Sequence, residues 1–400
     1  MTTALDPPAL ARRGTAPFAL ALVSLLAMMI GASAPSPFYP VLQQELGFSS
    51  ATMTGVFAVY AVALLAMLLV AGSLSDHLGR RPVVSVGFIL LAASMVVFWH
   101  ADSVSLLYVA RVVQGMASAL LLSSLSALVV DLEPTDRPGS AATFNSVSPL
   151  AGLAVGSLVA GIAIDAYSTP LAVVFGSLAA TYVVLAASVW LLPESSARRE
   201  RLLQSFKPRV GIPLPARAPF LRSTPALIAG WATGGLYLSL GAPIVAQELG
   251  GTNHFEEGLV VTVLTGFGAI ACYVARGASP RSVTIYGTTA LAVGTALTLA
   301  ALQAGSLWGF LAAAVIAGTG FGTGFLGIMR SITPLVETDE RGELFAAVFV
   351  VSYLAFGIPV VIAGFAAPHL GLADTTYIYG GVVVVLSAAA VLLRTFASDD

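Results

Sequence analysis

Apolar residues run along this chain in long unbroken stretches, separated by short polar breaks rich in Gly, Pro, Ser and charge. No alternation of apolar and polar positions marks a half-buried strand, so continuous runs of this length read as helices. Twelve can be drawn, at about 17–41, 52–71, 82–100, 104–130, 141–163, 170–192, 224–246, 258–276, 282–302, 306–329, 344–366 and 376–394. Each has roughly the 20 residues that cross a bilayer. Lipid offers backbone groups no partner, so a span must satisfy them internally as a helix or a closed barrel. The pattern predicts an all-α integral membrane protein with twelve transmembrane helices in contact with the lipid bilayer.

Composition supports this. Hydrophobic residues make up 57% and charged residues 10% of the 400, with a mean hydropathy of +0.91, whereas soluble domains carry about a quarter charged residues. The net charge of −2 says little; its distribution says more. All but one of the 18 Lys and Arg fall in alternate connections: Arg12 and Arg13, Arg80 and Arg81, Arg137, seven in 193–223, Arg276 and Arg281, Arg330 and Arg341, and Arg394. The opposite connections carry only acids, among them Glu45, Asp102, Asp165, Glu248, Glu256, Glu257 and Asp374. Positive residues stay cytoplasmic, which predicts a multi-pass cell-membrane protein with both termini inside. Arg12-Arg13, the run to Ile30 and Ala32-Ser33-Ala34 imitate a cleavable signal, but Pro35 follows the site at once and the run continues, so no cleavage is expected. Cys272 has no partner for a disulfide, and His77, His100, His254 and His369 lack ligand spacing. No metal, cofactor or nucleic-acid partner is expected, and no nucleophile–base pair points to an enzyme.

The chain repeats itself. Gln44-Glu45-Leu46-Gly47 recurs as Gln247-Glu248-Leu249-Gly250, and the same offset pairs Pro40 with Pro243, Gly55 with Gly258 and Gly115 with Gly318. It also pairs Thr135-Asp136 with Thr338-Asp339, Gly139 with Gly342, and Ala160-Gly161 with Ala363-Gly364. A polar tetrapeptide at one fixed offset marks a duplication. Two pseudo-symmetric six-helix halves are expected, at 17–192 and 224–394. A linker rich in Pro and Arg, 193–223, joins them, and tails lie at 1–16 and 395–400.

The most informative connection is Gly72-Ser-Leu-Ser-Asp-His-Leu-Gly-Arg-Arg-Pro82. It resembles the loop between the second and third helices of major facilitator superfamily transporters, G-x-L-x-D-x-x-G-R-R. Gly72, Leu74, Asp76, Gly79, Arg80 and Arg81 fill every fixed position. The second-half counterpart, Arg276 to Arg281, is shorter and has no acid. The resemblance implies a gating role: Asp76 meets the positive start of the eleventh helix near Gly342–Phe345, and Arg80, Arg81 and Arg137 pair with Glu133, Asp136 or Glu343. Plain membrane-side anchoring is the alternative for these arginines. Pro193-Glu194 resembles the family's exit from the sixth helix. Arg111 lies inside the fourth run, where a guanidinium costs a few kcal/mol unless it faces protein or water. Arg111-Val-Val-Gln114-Gly115 resembles the family motif R-x-x-Q-G, widespread in proton-linked members, and its depth in the span points Arg111 to the cavity between halves, with snorkelling to the outer surface the alternative. Ser148-Pro149-Leu-Ala-Gly152, with Gly156 and Gly161 behind, resembles the antiporter pattern G-P-x-x-G-G, though Ser148 and Leu153 replace its flanking glycines. A Gly face there would let the halves seal.

The middle of the spans holds no Asp, Glu, His or Lys, and the first run lacks the buried acid carried by many drug/proton antiporters. Candidates for a proton site are Glu45, Asp165 and Glu248 near span ends; exposure in loops is the alternative for each. A cavity between the halves would be lined by Ser33, Ser36, Tyr39, Asn145, Ser148, Trp231, Tyr237, Ser239 and Tyr353. Small polar and aromatic groups suit neutral or lipophilic cargo. The sequence therefore predicts a monomeric secondary transporter of the drug-efflux branch, exchanging a small-molecule substrate for protons by alternating access. An uptake symporter for a small organic solute and a non-transporting sensor are the alternatives.

Overall fold

The computed structural model describes residues 15–196, 210–337 and 340–395. Among the described residues, twelve helices are long and apolar enough to cross a membrane. They are α1 (Thr15–Leu46), α2 (Ser50–Ala71), α3 (Arg80–Trp99), α4 (Val104–Asp131), α5 (Ser140–Ala166) and α6 (Ala172–Leu191), followed by α7 (Leu214–Glu248), α8 (His254–Gly277), α9 (Pro280–Gln303), α10 (Leu307–Leu335), α11 (Arg341–Leu370) and α12 (Leu372–Thr395). Most of the two expected tails, much of the linker and Thr338-Asp339 lie outside the described residues.

Starts and stops follow local chemistry. The Ser49, Ser279 and Ser306 hydroxyls cap α2, α9 and α10, accepting from Thr52, Ser282 and Gly309 N–H at 3.1–3.2 Å. Gly47 closes α1 at φ 66°, a left-handed conformation that glycine adopts without strain.

Two boundaries differ from the hydropathy pattern. The seventh helix begins at Leu214, not near 224, because Pro215 sits where a helix has no use for its missing N–H, and exposed Arg217 and Arg222 line the polar first turns. The first span is two segments, Thr15–Ser33 and Phe38–Leu46, joined by a turn. Pro35 and Pro37 remove donors there, so the second segment can take a direction of its own.

Within the first half, α4 packs on α2 and α3, α5 on α1, and α6 on α3. Within the second, α10 packs on α8 and α9, and α7 and α9 on α12. Two seams carry most of the contact between halves, α5 on α8 and α2 on α11. The repeat pairs α5 with α11 and α2 with α8, so the seams are equivalent. Both are closed toward the face that bears the acidic connections. On α5–α8 the contacts run from Asp165 and Gly161, against His254 and Phe255, to Leu150 against Gly268. On α2–α11 they run from Thr54 against Gly364 to Ala58 and Ala61 against Gly357.

Candidate functional site

Arg111 is the largest fully buried side chain, 1% exposed. Its Nε donates to the Tyr39 hydroxyl at 2.7 Å, Nη2 donates to the same oxygen, and Nη1 donates to Gln114 Oε1 at 2.6 Å. Gln114 sits three residues on, hence on the same helix face, and its Nε2 donates to the Gly31 carbonyl at 2.7 Å, pinning α4 to α1. Four rings surround the guanidinium carbon: Tyr60 at 5.3 Å, Tyr39 at 5.4 Å, Phe98 at 5.7 Å and Phe57 at 5.9 Å. No carboxylate forms an ion pair with it among the described residues. Ring faces and neutral acceptors offset desolvation, each cation–π contact contributing about 0.5–2 kcal/mol. The break in α1 sets Tyr39 at the head of its second segment, from which it reaches Arg111.

This corrects one expectation. Arg111 is enclosed by α1, α2 and α3 of its own half and does not open onto the space between halves. Its link to the other half is Phe57, whose ring lies 5.0 Å from Phe356 on α11. Beyond it an aromatic cluster continues, Phe356 to Trp231 at 6.0 Å, then Trp231 to Tyr353 at 5.0 Å and to Phe325 at 5.8 Å.

The other expected cavity residues divide. Tyr353 and Trp231 are in that cluster. Ser33 instead donates to the Leu153 carbonyl between α1 and α5, Tyr237 shares a hydrogen bond with Thr298, and Ser239 bonds back to Gly235 of its own helix. Asn145 donates to the Ser126 carbonyl, its Oδ1 left without a partner among the described residues, as are the hydroxyls of Ser36 and Ser352. Ser148 is buried.

The glycines of α5 also divide. A Cβ at Gly152 or Gly156 would strike α1 of the same half, at Leu26 and Met29 or at Ile30 and Ser33, so these two, behind Pro149, pack α5 within its half. Gly161 performs the sealing expected of them: a Cβ there would lie 2.6 Å from the His254 carbonyl across the seam. Gly115 brings α4 onto α2, where a Cβ would meet the Tyr60 carbonyl at 2.5 Å.

At the arginine-rich face, Asp76 makes no ion pair with α11 among the described residues. It pairs with Arg80, one turn on, at 2.6 Å, and Arg80 also reaches Asp131 Oδ2 at 3.3 Å and Ser75 Oγ at 2.6 Å. A cation one turn away in the same loop satisfies Asp76 without the other half. Glu194 accepts from the Arg80 and Arg81 backbone N–H groups at 2.7 and 3.2 Å, capping α3 from the end of α6. Partial burial pushes its carboxyl up, but the N–H groups of Arg80, Ser196 and Arg81 and the Arg81 charge outweigh this and hold it below its ordinary value. Gly79, at φ 105°, brings the chain back toward that carboxylate. Gly72 closes α2 in ordinary helical geometry. Glu133 caps α5 at Ala141 N–H, 2.7 Å, rather than binding an arginine. Arg137 and Asp136 lie 3.7 Å apart, both exposed, a pair that adds little stability. Asp131, Glu194 as a cap, and the rings around Arg111 were the functional contacts missed; an acid closing an apolar run just before an arginine loop was the available signal for Asp131.

Of the proton-site candidates, Glu45 is exposed and Glu248 is half-buried. Glu248 lines a vestibule of about 450 Å³ on the acidic face with Gln43, Ser49, Met53, Leu240 and Pro243. Asp165 crosses the seam: its Oδ1 and Oδ2 accept from the His254 and Phe255 backbone N–H groups at 3.1 and 2.8 Å.

A family model described as Major Facilitator Superfamily matches residues 21–281. The chain belongs to the major facilitator superfamily. Relatives in this superfamily include multidrug resistance protein 2 of Bacillus subtilis (strain 168), 24% identical over 184 residues that make up 46% of either chain. Quinolone resistance protein NorA of Staphylococcus aureus (strain Mu50) is 22% identical over 138 residues, 34% of this chain and 36% of its own. The matched stretches thus span less than half of these relatives' length. Its family and its twelve long apolar helices among the described residues make the chain a multi-pass membrane protein.

Proposed function

We propose that this transporter exports a small neutral or lipophilic organic compound, in exchange for protons, from the side its arginine-rich face marks as cytoplasmic. The observation that carries the reading is the uncharged cluster of Trp231, Tyr353, Phe325 and Phe356, which touches the first half through Phe57. Rings of this kind take up planar apolar cargo. The relatives, a multidrug and a quinolone resistance protein, agree with export. The halves then rock about the core, each seam opening as the opposite face closes. The arginine split supports the orientation. Arg111, whose motif resembles that of proton-linked members, supports proton coupling as a fixed charge rather than a proton carrier, since a guanidinium stays protonated.

Inverted vesicles with an imposed pH gradient, offered a panel of neutral, anionic and cationic aromatic compounds, test this. Gradient-driven accumulation of neutral lipophilic members, lost in Trp231→Ala, is expected. Transport of hydrophilic solutes alone, or movement only into right-side-out vesicles, contradicts it.

A further inference from the structure

We infer that Asp165 is a latch between the two halves: its carboxylate closes the acidic face by capping α8 from the opposite half. The start of α8 leaves N–H groups that its own turns cannot satisfy. Asn253, the residue before it, serves the third, accepting from Glu256 N–H at 2.9 Å. The first two, His254 and Phe255, are served by Asp165 on α5, one by each carboxylate oxygen, at 3.1 and 2.8 Å. A negative group is favoured at this position because it meets the positive end of the helix dipole. Close approach is built in beside it: Ser157 Oγ donates to the Gly258 carbonyl at 3.1 Å, Thr262 donates to the Ala154 carbonyl at 3.0 Å, and Gly161 lies directly under His254.

The equivalent seam lacks the device. The repeat places Pro368 at the position of Asp165, and a proline side chain offers no acceptor to the N–H groups at the start of α2. Among the described residues, the side-chain hydrogen bonds that cross the halves toward the acidic face all lie on this one seam, and Asp165 supplies the charged one. Separating the halves there takes the shared acceptor away from two N–H groups at the positive end of α8 and leaves the exposed carboxylate to water alone. Asp165 is a positioning residue: it sets the balance between the closed and open acidic face and touches no cargo.

The inference rests on the alternating-access reading. Hydrogen–deuterium exchange of the full chain in lipid nanodiscs tests it without any cargo, so a negative compound panel would bear on the proposed export alone. Asp165→Asn keeps the shape but places a donor against a donor. It should raise exchange severalfold at 254–257 and also across the α2–α11 seam, at 50–58 and 360–368, while the α1–α5 contact within the first half is unchanged. His254→Pro is the second variant, should the first fail to insert. It removes one N–H at the helix position that tolerates proline, after a residue already extended at φ −151° and ψ 159°, and the same response is expected. Faster exchange confined to 253–258, with the α2–α11 seam at wild-type rates, makes Asp165 an ordinary helix cap and overturns the latch.

Discussion

The α5–α8 and α2–α11 seams occupy equivalent places in the duplicated chain, yet different interactions close them. The first is polar at its end and glycine-lined behind, with Asp165, Ser157 and Thr262 each bonded to backbone across the halves. The second is dry: Thr54 fills the space beside Gly364, and Phe57 meets Phe356. A polar fastening is directional and breaks over a short displacement, whereas an apolar contact loses energy in proportion to area. The duplication has therefore divided two tasks. One seam determines when the acidic face is shut; the other connects the Arg111 cage to the aromatic cluster.

The comparison breaks most sharply at the dry seam. Gly364→Leu puts a side chain where a Cβ alone would clash with Thr54. Overpacking of this kind costs about 1–3 kcal/mol, so transport in vesicles should fall at least about fivefold with the protein still inserted. Next comes the cage. Arg111→Gln removes the charge and the fork to Tyr39, and Arg111→Lys keeps the charge without the fork. Both should insert normally by surface labelling and both should lose most transport. Full activity of Arg111→Gln at every pH tested would reduce the residue to packing. Phe57→Ala, which removes one cage wall and the bridge to Phe356 together, should cost about 3 kcal/mol of stability if the cage and bridge are packed as described. Thermal unfolding in detergent checks it.

These contacts were unequally legible in the sequence. Apolar run length placed the ends of eleven spans within about six residues of the observed helices, because backbone satisfaction in lipid dictates length. Polar first turns hid the start of α7, and the Pro35–Pro37 break vanished inside one apolar run. Arg111 and Gln114 could be read from spacing, being three apart on one helix. The rings around Arg111 come from α1, α2 and α3, and no local pattern joins them. Asp165, a candidate proton site with exposure as the alternative, is exposed, and its bonds to the His254 and Phe255 backbone N–H groups carry no sequence signature. Glycine spacing on α5 revealed close approach but not which neighbour approaches: Gly152 and Gly156 meet α1, and Gly161 meets α8.

The smallest effect is expected at the arginine-rich face, far from both seams. The Glu194 carboxyl is held below its ordinary value, so its stabilising effect is present above the ordinary carboxylate range, near pH 4.5, and is lost as pH falls through the lowered value. Wild-type stability should thus decline with acidification in that window, and Glu194→Gln should flatten the decline while leaving seam exchange unchanged. A pH profile of the melting temperature measures it.

The central claim is that the two faces open in turn about seams closed at the acidic one. Spin labels at exposed Thr169 and Thr252 span the halves at the acidic face, and labels at exposed Thr135 and Ala278 span them at the arginine-rich face. Pulsed-electron-resonance distances should be measured for both pairs in nanodiscs over a range of pH and with a transported compound. The account predicts that whatever lengthens the acidic-face distance shortens the other. Distances that lengthen together, or one that changes while the other stays fixed, would contradict it.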